Sequence, residues 1–150
     1  MTRPITPAPG VDAGSAAASH AVLVEFLAAI DHGHATTVLD LFTEDASFTA
    51  RGQQLRGRDA ISRFLTEREA ETDRQTVHII ANETARTDDT REAVTLAAVL
   101  VLLVRNEVGH YVTGRVLDTT QQLVPTPAGW RITSRDTTPF HPPTQPPVVA

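Results

Sequence analysis

Apolar and polar positions along this chain follow two periods in turn. From Ala21 to Ile30 only Glu25 is charged, and Leu23, Phe26, Leu27 and Ile30 recur at spacings of three and four. That stripe predicts a helix buried on most sides, with Ser19 as its cap. Asp31 ends the run and flanks the same inner stripe, where a carboxylate is costly unless it meets water, a partner or a ligand. Gly33 stops the helix. Val38, Leu39, Leu41 and Phe42 predict a second, short helix facing inward, and the stretch from Ala46 to Thr49 a strand. Residues 51–57 read as a turn with a short strand. Asp59 predicts the cap of a third helix from Ala60 to about Thr72. Ile61, Phe64 and Leu65 form its buried stripe; Arg63, Glu67, Arg68, Glu69 and Glu71 form its solvated face.

From Gln75 the period becomes two. A strand over 75–86 sets Val77, Ile79 and Ala81 on one face and His78, Ile80 and Asn82 on the other. Asp88-Asp89-Thr90 predicts a hairpin turn. The next strand, 92–106, is apolar on both faces at its centre, as in a sheet covered on both sides. A turn at 106–109 leads into a long strand over 110–124, where Gly114 marks a bulge or bend. A Pro-rich turn at 125–129 precedes a last strand over 130–138. The sum is an α+β domain: helices on one face of a strongly curved antiparallel sheet, wrapped into a cone with an open mouth. Such a cone is a natural small-molecule site.

Composition narrows the picture. The 150 residues suit one domain. Residues 1–18, rich in Pro, Ala, Gly and Ser, read as a disordered tail, 19–138 as the domain and 139–150 as a Pro-rich tail. Net charge is −5, and all 13 cations are Arg, without a basic cluster, which argues against nucleic-acid binding. The absence of Cys excludes disulfides, thiol nucleophiles and thiolate metal sites. The longest apolar stretch, 93–104, is shorter than the ~20 residues a membrane span needs. With no leader-like start, the expectation is a cytoplasmic protein with no membrane partner.

Five short pieces carry a resemblance: Ala29 to Gly33, Leu41 to Phe48, Gly57 to Ile61, His78 to Asn82, and Gly129 to Ile132. In this order and spacing the chain resembles the SnoaL-like branch of the nuclear-transport-factor-2-like superfamily, which has a cystatin-like α+β barrel. The resemblance implies a cone-shaped cavity, a small apolar ligand and a homodimer formed through the outer sheet face. In the superfamily's scytalone-dehydratase and bile-acid 7α-dehydratase types, an acid at the end of the first helix pairs with a His on the first long strand after the third helix. The matching positions are Asp31 and His78. The bile-acid type carries a Tyr five residues before the acid, where this chain has Phe26. The second His of the scytalone type would fall near Leu102. A Tyr-x-Asp pair common before the last turn is replaced by Thr119 and Gln121.

An Asp–His pair facing a dry pocket is a workable acid–base device, because the carboxylate fixes the imidazole tautomer and the imidazole moves protons. The expected activity is therefore a cofactor-free lyase, isomerase or cyclase acting on a polyketide- or steroid-like molecule, with Asp31 and His78 catalytic. It needs neither metal nor nucleotide. Phe26, Ile30, Phe48, Phe64 and Trp130 are candidate core or cavity-wall residues. Asn82, Tyr111 and Asp118 are candidate polar contacts to the ligand, Asp118 also as a second base. The plainer reading makes His78 a satisfied interior histidine and Asp31 a helix-end acid. The chain would then be a non-catalytic ligand-binding or dimerisation module. His20, His32 and His34 read as exposed, His110 as a strand-end residue, and His141 lies in the Pro-rich tail. A protein-binding adaptor is a third class, with little to support it in the sequence.

Overall fold

The computed structural model describes residues 12–87 and 92–141. The first helix, α1 (Ala13–Asp31), is followed by a 3-10 helix (Ala35–Leu41), β1 (Phe42–Ala50), β2 (Gln53–Arg56) and α2 (Gly57–Ala70). Four long strands complete the chain: β3 (Thr76–Thr87), β4 (Val94–Arg105), β5 (Tyr111–Thr126) and β6 (Gly129–Pro139). The six strands form one curved sheet in the order β2-β1-β6-β5-β4-β3. All neighbours are antiparallel except β1 and β6, which run parallel, so the sheet is mixed and not purely antiparallel as expected. The architecture is the predicted α+β cone.

α1 begins earlier than its apolar stripe indicates. Asp12 is the cap and accepts from the Ser15 backbone N–H, while Ser19 lies fully buried inside the helix. Residues 13–18 are therefore helical, not part of a tail. Residues 1–11, the turn at 88–91 and residues 142–150 lie outside the described residues. At 19 residues α1 is long and apolar enough to cross a membrane by length and composition. Its stripe instead supplies the core: Leu23, Phe26, Leu27 and Ile30 are buried against the sheet. α2 starts at Gly57, so Asp59 sits in its first turn, where a carboxylate favours the positive end of the helix dipole, and not at the cap.

Three bulges bend the long strands, and each moves side chains between faces. An extra residue in β3 between Ala81 and Thr84 has Asn82 in the left-handed region at φ 51°. Gly114 is the extra residue in β5, as its sequence position predicts; a Cβ there would lie 2.8 Å from a Val104 methyl. In β6 the extra residue is Thr133. Because strand side chains alternate, each bulge inverts the inside–outside pattern that follows it.

Candidate active site

The end of α1 is built to hold an acid in an unfavourable place. Gly33, at φ 79°, closes the helix: its N–H donates to the Ile30 carbonyl, and the His34 N–H donates to that of Ala29 at 2.7 Å. Asp31 thus stands in the last helical turn, where the helix dipole disfavours a negative charge. Three donors from β3 compensate. The Thr76 hydroxyl donates to Asp31 Oδ1 at 2.9 Å, the His78 backbone N–H to Oδ2 at 2.8 Å, and His78 Nδ1 lies 2.7 Å from Oδ1. Burial pushes the Asp31 pKa up, but the His78 and Thr76 hydrogen bonds and the His78 charge outweigh it and hold the carboxyl below its ordinary value. Asp31 is therefore an acceptor at neutral pH. It fixes the hydrogen of neutral His78 on Nδ1 and leaves Nε2 as the basic nitrogen. Nε2 has no protein partner among the described residues.

A cavity of about 750 Å³ opens beside this pair. His78 and Thr76 line it, together with the apolar side chains of Phe26, Ile30, Phe48 and Phe64. The rings of Phe48 and Phe64 meet edge to face, 5.0 Å apart. Asp31 lies behind the imidazole and faces a smaller recess of about 360 Å³ on the other side. The pair thus bridges cavity and outer recess, with His78 the member on the cavity wall.

The remaining candidates fall elsewhere. Tyr111 is 46% exposed and lines the outer recess, not the main cavity. The β3 bulge turns Asn82 out to solvent, although it shares a period-two face with His78 in the sequence. Asp118 lies on the face opposite Leu117 and Thr119, away from the cavity. Trp130 is half-buried and packs on the core far along the β5–β6 hairpin, so it is not a cavity wall. His20, His32 and His34 are exposed as expected, His20 with a carboxylate partner, Glu83, at 2.7 Å; His110 directly precedes β5, and it and His141 are exposed as well.

Two buried arginines were not among the sequence candidates. Arg68, assigned above to the solvated face of the third helix, is only 8% exposed and lines the cavity. It donates to the Thr76 hydroxyl at 3.1 Å, extending the chain of contacts to Arg68–Thr76–Asp31–His78. Its position was legible: Arg68 stands seven residues after Ile61 and three after Leu65, on the buried stripe itself. Arg135 is 3% exposed and also lines the cavity. It donates through Nη1 to the Gln121 side-chain oxygen, and its guanidinium carbon lies 4.4 Å from the centre of the Phe26 ring.

A helix-end acid, a sheet histidine and an apolar cavity inside a curved sheet define a small-molecule pocket of the kind this α+β cone supports. A family model for the SnoaL-like domain matches residues 15–136, and the chain belongs to that family. Solved structures share the fold. ActVI-ORFA from Streptomyces coelicolor superposes with a TM-score of 0.75 at 18% identity, over 87% of this chain and 98% of that one. A Catenulispora acidiphila protein in complex with S-DNPA superposes with a TM-score of 0.72 at 24% identity, over 84% and 93%. An NTF2-like protein with a cystatin-like fold from Novosphingobium aromaticivorans gives 0.69 at 20% identity, over 86% and 90%. No curated protein matches the sequence significantly.

Proposed function

We propose that this protein is a cofactor-free lyase, isomerase or cyclase that moves a proton on a ring-bearing small molecule of polyketide or steroid type. His78 Nε2 takes a proton from carbon or oxygen of the bound molecule. Asp31 holds the imidazole in the required tautomer and stabilises the imidazolium that forms. Arg68 and Thr76 fix the carboxylate. The observation that carries this reading is the 2.7 Å contact between His78 Nδ1 and a buried carboxylate, with the imidazole on the wall of an apolar cavity. Syn elimination of water, double-bond migration and aldol-type ring closure all begin with that transfer.

Exchange of the α-protons of 2-tetralone in D2O, followed by proton NMR, tests the reading with a simple enolisable ketone in place of the natural substrate. The wild-type protein accelerates exchange, and His78→Ala lowers that rate by about 10²-fold or more. Survival within about threefold overturns the role of His78. Among the described residues the cavity holds no acid other than the one behind His78, which supports the rival reading of a ligand-binding module. Binding of 2-tetralone without exchange would decide for that module.

We further propose a homodimer through the outer sheet face. Ile79, Val101 and Val116 stand in register across β3, β4 and β5, and Ile79 and Val116 are 46% and 42% exposed. A second copy would cover this apolar row. Sedimentation equilibrium is expected to show a dimer for the wild type and a monomer for Ile79→Asp; a wild-type monomer rules the proposal out.

A further inference from the structure

The cavity wall is cationic. Arg51, Arg68, Arg74, Arg115 and Arg135 line it, and among the described residues no Asp or Glu does. Outside the wall, Glu71 pairs with Arg51 at 3.1 Å and reaches Arg74 at 3.8 Å. Arg135 differs from these. It is buried, and no carboxylate pairs with it among the described residues. An isolated buried cation is expensive, and proteins pair such groups when they keep them.

The way Arg135 is held shows which of its donors are left. Gln121 takes Nη1, and the Phe26 ring covers one face of the guanidinium. The buried Nε has no acceptor, and Nη2 has none among the described residues. Nε is closed off from solvent, which leaves Nη2 as the guanidinium donor that a ligand oxygen can meet. The Gln121 side-chain nitrogen is a further buried donor without an acceptor. Gln121 and Phe26 thus orient the guanidinium from two sides and leave Nη2 without an acceptor among the described residues.

We infer that the small molecule bound in this cavity carries a carboxylate, which pairs with Nη2 of Arg135 while its apolar rings lie against Phe26, Phe48 and Phe64. This names the ligand class of the site proposed above and rests on that reading for the location of the chemistry. Arg135 is in this view a specificity-determining residue, separate from the proton-transfer pair. Burial pushes its pKa down to about 9, which leaves it a cation at pH 7.

Isothermal titration of the whole protein with 2-naphthoate and 2-naphthamide tests the inference, because the two probes share rings and shape and differ in charge. The acid is expected to bind at least about tenfold more tightly, the difference of one charge-assisted contact. Arg135→Met abolishes the preference and keeps amide binding; Arg135→Lys keeps charge without the guanidinium and retains only part of it. Arg115→Gln, at an exposed position on the wall, leaves the preference in place. Equal affinities in the wild type, binding of neither probe, or a preference that disappears with Arg115 instead of Arg135 each overturn the inference. The wild-type comparison decides even if Arg135→Met does not fold. The two proposals fail separately: His78→Ala is expected to keep the acid preference while losing proton exchange. A protein with the preference but no His78-dependent exchange overturns only the catalytic reading.

Discussion

Asp31→Asn is expected to lower proton exchange by roughly three to four orders of magnitude, the range seen when the orienting acid of a His-based triad becomes an amide. The reason lies in the donors around residue 31. The His78 backbone N–H must keep an acceptor, so the amide oxygen takes the place of Oδ2 and the amide nitrogen that of Oδ1. That nitrogen then donates to His78 Nδ1. The imidazole responds by carrying its hydrogen on Nε2, the nitrogen facing the cavity, which can no longer accept a proton. Nitrogen chemical shifts of His78 report the change directly: protonated Nδ1 in the wild type, protonated Nε2 in the variant. A variant with the altered tautomer and undiminished exchange would remove His78 from the chemistry. The same substitution alters acid stability. The folded Asp31 pKa lies below its ordinary value of 3.8, so its contribution is present above that pH and lost as pH falls through the lower, folded value. The gap in urea midpoint between wild type and Asp31→Asn should therefore close in that acid range.

The pair was legible because each member announces itself locally. Asp31 is an acid at the end of an apolar run, stopped by a glycine two residues later. His78 sits early in a strand, before any irregularity. Residues beyond the bulges were not legible. Asn82 shares a face with His78 by strict alternation, yet one inserted residue turns it outward. Arg135 is the converse. Alternation from Ile132 puts Ser134 inside and Arg135 outside, but the extra residue Thr133 reverses them. A bulge without a glycine leaves no mark in the sequence, whereas Gly114 did. Arg68 hides for a different reason: its charge reads as solvated, although the helical period places it on the buried stripe of Ile61 and Leu65. The parallel β1–β6 pair was hidden because pairing between the first strand and the last depends on how the whole sheet closes, not on a local pattern.

Replacing Arg135 by Met together with Gln121 by Leu is expected to stabilise the protein by about 1–4 kcal/mol, the range found when buried ionic groups give way to packed apolar ones. The wild type holds a buried cation with one neutral acceptor and one ring face. Burial pushes its folded pKa down to about 9, well below that of an ordinary arginine, so the unfolded chain binds the proton more tightly. The resulting destabilisation is full at pH 7 and relieved as pH rises above about 9. The double variant should thus exceed the wild type most at neutral pH and least at high pH. Arg135→Met alone should gain less, because it leaves the buried Gln121 oxygen without a donor, an omission that costs about 1–3 kcal/mol. Urea titrations of the three proteins at pH 7 and pH 10 provide the comparison. A double variant less stable than the wild type would mean that Arg135 is already satisfied by the fold, which would weaken the case that it is kept for a ligand. A more stable one that has lost its preference for 2-naphthoate would show stability given up for recognition at the cavity wall.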